Sequence, residues 1–237
     1  MSNSMNSKTH VAILLDCSGS MQACQTETVA GFNEQVQAIR KSAQLSGAEG
    51  ATFVTLAVFN DGVEFVRFAE PVDRLMEISA DEYHPDSLTA MLDAVGATLG
   101  RLAREVEDSD DVSYLVIIIS DGEENASKEH SYESVARMIQ ARQETGRWTF
   151  SYMGANQNLS DLSARLHIPK SNTAVYCSSR HGTAVSFTSL SKSVISYLDR
   201  RASGQRARDR FFGRADQVSA IDDDDDGGSS SGKGRLN

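Results

Sequence analysis

Two short apolar runs constrain this chain more than any other feature. Val11-Ala-Ile-Leu-Leu15 and Tyr114-Leu-Val-Ile-Ile-Ile119 offer apolar side chains to both sides of an extended backbone. A strand of that kind is covered on both faces, as in a sheet held between two layers of helices. Each run breaks off into oxygen-bearing and small residues. Asp16-Cys-Ser-Gly-Ser20 follows the first, and Ser120-Asp-Gly-Glu-Glu-Asn125 follows the second.

The segments between and after these runs supply the helices and the other strands. Val29, Phe32, Val36 and Ile39 recur at helical spacing and predict one buried stripe, ending near Gly47 and Gly50. Thr52 to Phe59 and Val63 to Phe68 are rich in β-branched and aromatic residues. Asn60-Asp-Gly62 joins them as a hairpin turn, so the third strand should run antiparallel at a sheet edge. After a loop over 69–88, Leu92, Val95, Leu99, Leu102 and Val106 predict a second helix. Tyr114 to Ile119, the most apolar run, is expected at the sheet centre. Then come a helix from Tyr132 to Glu144 capped by Ser131, a strand from Trp148 to Met153, and a short helix from Leu159 to Leu166. A strand from Thr173 to Cys177 and a helix over about 183–201 complete the pattern.

Strands alternating with helices predict an α/β fold of Rossmann-like, doubly wound form. Its central sheet is mostly parallel, with one antiparallel edge strand and helices on both faces. At 237 residues the chain can bury a full core without disulfides or structural metal. The expected organisation is a leader over 1–8, one domain over 9–202, and a flexible tail over 203–237. That tail is Arg-rich, then Asp-rich, then Gly/Ser-rich.

Charge narrows the function classes. The tail from Asp199 onward holds eight basic and eight acidic residues, so residues 1–198 carry the entire net charge of −10. An acidic body disfavours phosphate-backbone binding, and no nucleic-acid partner is expected. The chain has no apolar run of the ~18 residues a membrane helix needs and no secretory pattern at its start, so a soluble, cytoplasmic protein is expected. Cys17, Cys24 and Cys177, an odd count without a CxxC pair, read as free thiols in a reducing compartment. Cys24 sits in an apolar-periodic helix without a His or basic partner and reads as an inert thiol. The five histidines show no metal-binding spacing, and neither a nucleophile elbow nor a phosphate-binding loop is present.

In a doubly wound sheet, ligands gather at the carboxyl ends of the strands, where strand order reverses. Both oxygen-rich segments leave strands at such ends. Asp16, Ser18 and Ser20 share one tight loop, Asp121 leaves the neighbouring strand, and Thr89 opens the second helix at the same edge. Hydroxyls with a few carboxylates suit a hard divalent cation such as Mg²⁺, with Mn²⁺ or Ca²⁺ as alternatives. Neutral Ser and Thr ligands leave the ion residual positive charge, which a carboxylate from outside can satisfy. Glu123 and Glu124 read as a solvated loop, and Asp86 as plain loop. Asp93, one turn beyond Thr89, either orients a ligand water or caps and solvates the helix.

At these residues the chain resembles the von Willebrand factor A (VWA) family and its metal-ion-dependent adhesion site. The resemblance rests on Asp16-Cys-Ser-Gly-Ser-Met21, Ser87-Leu-Thr-Ala-Met-Leu-Asp-Ala94 and Ile119-Ser-Asp-Gly-Glu-Glu-Asn125, in order, and covers about 9–200. Phe32-Asn-Glu34 and Gly154-Ala-Asn-Gln157 are similar to the compact stand-alone bacterial and phage members. Two departures stand out: Ser120 where Thr is usual, and Leu88 where Gly often precedes the Ser/Thr pair. The resemblance implies direct ligation by Ser18, Ser20 and Thr89, and direct or water-mediated ligation by Asp16 and Asp121. It also implies a non-enzymatic, Mg²⁺-dependent module that grips an Asp or Glu of a protein partner, with an AAA+ ATPase as one partner class. It places the protein in the cytoplasm, or the host cytoplasm if phage-encoded. Two other classes stay open: a metal-dependent hydrolase or phosphatase, and a scaffold or virion component with a vestigial site.

Overall fold

The computed structural model describes residues 7–48, 51–106, 109, 111–154, 159–175, 179–205 and 210–213. Six strands form one sheet: β1 (Lys8–Asp16), β2 (Thr52–Phe59), β3 (Val63–Pro71), β4 (Val112–Ser120), β5 (Trp148–Gly154) and β6 (Thr173–Val175). Their order is β3-β2-β1-β4-β5-β6. All neighbours are parallel except β2 and β3, the hairpin that Asn60-Asp-Gly62 predicted. The two apolar runs, β1 and β4, lie side by side at the centre. They are also where strand order reverses, so the oxygen-rich loops that follow them flank the switch point.

Both faces of these central strands are covered, which is why they need no polar alternation. On one face Val11, Ile13, Leu15, Leu115, Ile117 and Ile119 pack against helices α1 (Gln25–Ser46) and α5 (Arg180–Ala202). On the other, Ala12, Leu14, Val116 and Ile118 meet α2 (Met91–Glu105) and α3 (Tyr132–Glu144), beside α4 (Leu159–Arg165). Of the predicted α1 stripe, Phe32, Val36 and Ile39 are fully buried and Val29 is half-buried at its edge. Gly47 ends α1 at φ 65°, a left-handed conformation that glycine adopts without a side-chain clash, and Ala48 N–H closes the turn on Ala43 C=O at 2.8 Å. Ser131 caps α3 reciprocally with Ser134, as expected from sequence.

A row of rings crosses the sheet near the amino ends of the parallel strands. His10 stacks on Phe53 (4.8 Å between centroids) and on Tyr114 (5.5 Å), and Tyr114 stacks on Trp148 (3.8 Å). Parallel register puts these residues opposite one another, so the row follows from pairing alone.

Of the leader expected over 1–8, residues 1–6 lie outside the described residues, and Lys8 already belongs to β1. In the segment read from sequence as tail, residues 206–209 and 214–237 lie outside them too. Between those stretches, however, Phe211 and Phe212 are buried in the core on the α1/α5 side of the sheet, with Phe211 against Tyr197 of α5. No helix among the described residues is long and apolar enough to cross a membrane.

Candidate functional site

The carboxyl ends of β1 and β4 bring Asp16, Ser18, Ser20, Thr89 and Asp121 into one group. Asp16, the last residue of β1, is fully buried. Its Oδ1 accepts the Ser18 N–H at 2.8 Å, which folds the loop back over the strand end. Its Oδ2 accepts the Ser120 hydroxyl. Ser18 and Ser20 hydroxyls lie 3.1 Å apart, and Ser20 Oγ donates to Asp121 Oδ1. Ser18 and Thr89 are buried, whereas Ser20 is exposed. Ser120 thus keeps the hydroxyl that a Thr would offer at this position, and that hydroxyl holds the Asp16 carboxylate.

Gly122 shows how closely these oxygens converge. A Cβ there would meet Thr89 Oγ1 at 2.8 Å, with Asp16 Oδ2 and Ser18 Oγ both at 3.6 Å. The missing side chain leaves a space walled by hydroxyl and carboxylate oxygens from three loops. Burial raises the pKa of both Asp16 and Asp121, and the Asp121 charge adds to the effect at Asp16. Among the described residues neither carboxylate makes an ion pair with Lys or Arg. Two carboxylates and three hydroxyls around a small space, without a neutralising side chain, fit a hard divalent cation. Among the described residues no group of three or more His, Cys, Asp and Glu side chains is placed to hold a metal ion, so an ion here would rest on the hydroxyls as well as the two carboxylates.

Backbone hydrogen bonds fix the loops against one another. Cys17 N–H donates to Phe59 C=O, Gly19 N–H to Ser87 C=O and Asp86 N–H to Cys17 C=O. Tyr83, buried under the first loop, donates its hydroxyl to Asp16 C=O. The loop after β4 is laced to the start of α2. Asn125 Oδ1 accepts the Thr89 N–H, and Asn125 and Ala126 N–H groups donate back to Thr89 C=O.

Glu124 is not the solvated residue expected from sequence. Its half-buried carboxylate accepts N–H groups of Leu92, Ala126 and Ser127 and the Ser127 hydroxyl. It thereby satisfies an orphan donor in the first turn of α2 and places negative charge at that helix's positive end. Asp93, expected either to orient a ligand water or to cap and solvate the helix, has a further role as a clamp on the loop. Its carboxylate accepts the N–H groups of Lys128, Glu129 and His130 at 2.7, 3.0 and 2.8 Å, clamping the far side of the same loop. Asp86 holds Ser87 N–H on an exposed loop. Spacing did not reveal Asn125, Glu124, Asp93 or Ser120 in these positioning roles, because each depends on contacts across loops. Removing the Asp93 carboxylate as Asp93→Ala should cost about 2 kcal/mol in urea denaturation, since three backbone donors lose a charged acceptor. Amide exchange at 128–130 should rise with it.

Cys17 and Cys24 are buried free thiols, and burial pushes Cys17 up to about 12. At neutral pH Cys17 is protonated and unreactive. Cys177 and Ala155 to Gln157 lie outside the described residues.

No protein-family model matches the chain, and no curated protein matches it in sequence. Solved structures do match its fold. The PilB minor pilin of Streptococcus sanguinis is similar at a TM-score of 0.58 and 11% identity, over 81% of this chain and 62% of that one. A von Willebrand factor type A protein of Catenulispora acidiphila is similar at 0.52 and 19% identity, over 80% of this chain and 43% of that one. The manganese-loaded TRAP protein of Plasmodium vivax is similar at 0.52 and 15% identity, over 76% and 71%. The chain thus spans less than two-thirds of the first two proteins. The fold is that of VWA domains.

Proposed function

We propose that this protein is a non-enzymatic, metal-dependent protein-binding module with a metal-ion-dependent adhesion site of the VWA kind. In this reading Ser18, Ser20 and Thr89 hold Mg²⁺ directly, while Asp16 and Asp121 hold it directly or through water. Mn²⁺ is an alternative, in keeping with the manganese-loaded TRAP neighbour, and Ca²⁺ another. The bound ion would supply a positive centre able to take an Asp or Glu carboxylate from a partner. The observation that carries the reading is the oxygen-walled space at Gly122, beside two carboxylates without a cationic partner. Of the three candidate general bases, Glu123, Glu124 and Asp93, the last two are committed to holding the loops together, which favours binding over hydrolysis. Each of these two already accepts several hydrogen bonds from backbone N–H groups, whereas Glu123 is exposed. The same reading makes the protein a stand-alone bacterial or phage type working in the cytoplasm, with an AAA+ ATPase as one partner class.

Thermal unfolding tests it. Millimolar Mg²⁺ should stabilise the wild type, by about 2.7 kcal/mol at a hundred times Kd. Gly122→Ala, whose methyl enters the oxygen-walled space, and Asp121→Ala should lose that metal-dependent shift. No shift in the wild type with Mg²⁺, Mn²⁺ or Ca²⁺ would sink the reading. Affinity capture then addresses the partner: proteins retained by wild type should be lost with Ser18→Ala/Ser20→Ala and, separately, with chelator.

A further inference from the structure

We propose that Arg165 is a second anchor for the partner, so that the partner presents two acidic residues, one to the metal and one to this guanidinium. The inference rests on the metal-dependent reading above and names the partner's chemistry. A cleft of about 460 Å³ opens beside the candidate metal loop, walled by Gly122, Glu123 and Glu124 on one side and by Tyr132, Asp161, Leu162 and Arg165 on the other. Gly122 therefore borders both the oxygen-walled space and this cleft. Arg165 is the one cation among the described residues that line it.

Arg165 is held ready for a ligand. Its guanidinium lies over the Tyr132 ring, 3.5 Å from the centroid, which restrains a long side chain that would otherwise sample many rotamers. Yet Arg165 is exposed and, among the described residues, makes no ion pair. Asp161, one helical turn earlier, does not neutralise it. In a body whose net charge is −10, a stacked and unpaired arginine at the rim of the site is a built anion contact. A planar guanidinium takes a carboxylate through two parallel hydrogen bonds, which fixes direction as well as adding affinity. Glu123, Glu124 and Asp161 share the cleft and repel a dense run of acids. The second carboxylate must therefore be spaced from the first, far enough to pass them and reach Arg165.

Peptides of the form acetyl-Glu-(Gly)-Glu-amide test this, with spacers from none to about three glycines at roughly 3.5 Å per residue. Each is compared with its counterpart carrying Gln in place of the second Glu. Binding to the full chain is followed by NMR titration in Mg²⁺. For at least one spacing the two-acid peptide should bind about fivefold tighter than its counterpart, as expected for a partly exposed charged hydrogen bond. Arg165→Gln should erase that difference and leave the one-acid affinity and the Mg²⁺ stabilisation unchanged, and Arg165→Lys should restore only part of it. The proposal is overturned if no spacing shows a difference, or if the difference survives in Arg165→Gln. Failure of the underlying reading looks different: one-acid peptides then show no Mg²⁺-dependent binding and Mg²⁺ gives no thermal shift, which overturns both.

Discussion

Phe212→Ala should destabilise the protein by about 3–5 kcal/mol, the range for removing a fully buried aromatic ring and leaving a cavity. Phe212 is 1% exposed and Phe211 is 3% exposed. Their rings meet edge to face at 4.8 Å, and Phe211 meets Tyr197 of α5 in the same way at 6.4 Å. The backbone is tied down as well. Phe211 N–H donates to Asn172 Oδ1, and Phe212 N–H to Ser171 C=O. Asn172 is itself buried and donates to Phe150 C=O, so the contact reaches β5. These residues close the core between α5 and the turn that leads into β6. Thermal denaturation should show a midpoint lower by roughly 10 °C, given about 2–4 °C per kcal/mol for a chain of this length. A second comparison isolates the segment: a chain ending at Gly213 should be more stable than one ending at Gln205 by a similar amount. A cost below about 1 kcal/mol for Phe212→Ala would mean that the pair adds little to the fold.

The second large effect is acid sensitivity set by His10. Burial pushes its pKa down to about 4 from an ordinary 6.5, with the Lys8 charge adding to the shift. The ring lies between Phe53 and Tyr114, and among the described residues its Nδ1 has no hydrogen-bond partner. Above about 6.5 both folded and unfolded chains carry it neutral. Between 6.5 and about 4 the unfolded chain takes up a proton that the native state refuses, so stability falls as pH falls. The full loss is about 3 kcal/mol. Asp16 and Asp121 act with the opposite sign. Their raised pKa values mean that the native state holds their protons to higher pH than the unfolded chain, so they favour folding in acid. His10→Phe places a ring of similar shape in the same row without a titrating nitrogen. Denaturation at pH 7.5 and pH 5 should therefore show a smaller acid loss in His10→Phe than in wild type. Equal losses in the two proteins would assign the acid sensitivity elsewhere.

Much of the fold could be read directly from residue patterns. Apolar runs on β1 and β4, helical stripes on α1 and α2, and Asn60-Asp-Gly62 specify local geometry. Local geometry of this kind, alternated along the chain, leaves few topologies. The rule that sites lie at carboxyl strand ends then brings Asp16 and Asp121 to neighbouring loops. The end of the domain was harder to see. Phe211 and Phe212 follow an Arg-rich stretch and have no periodic neighbours, so nothing local marks them as core. Only their packing against α5 and the Ser171–Asn172 turn explains their burial.

The candidate site divides along the same line. Which oxygens meet at the strand ends follows from short motifs on successive strands, because a parallel sheet aligns those ends. What holds them there does not. Glu124 and Asp93 read as loop or helix-surface acids, yet each organises backbone donors more than thirty positions away. Arg165 reads as one more charge on a short helix, until Tyr132 is found beneath it and the metal loop beside it. Local sequence can state which groups a chain offers and which periodicity it follows. Which buried donors lack partners, and which charges lack a counter-ion, is a property of the packed molecule. Desolvation and through-space contact set those quantities, and they exist only once the loops have come together.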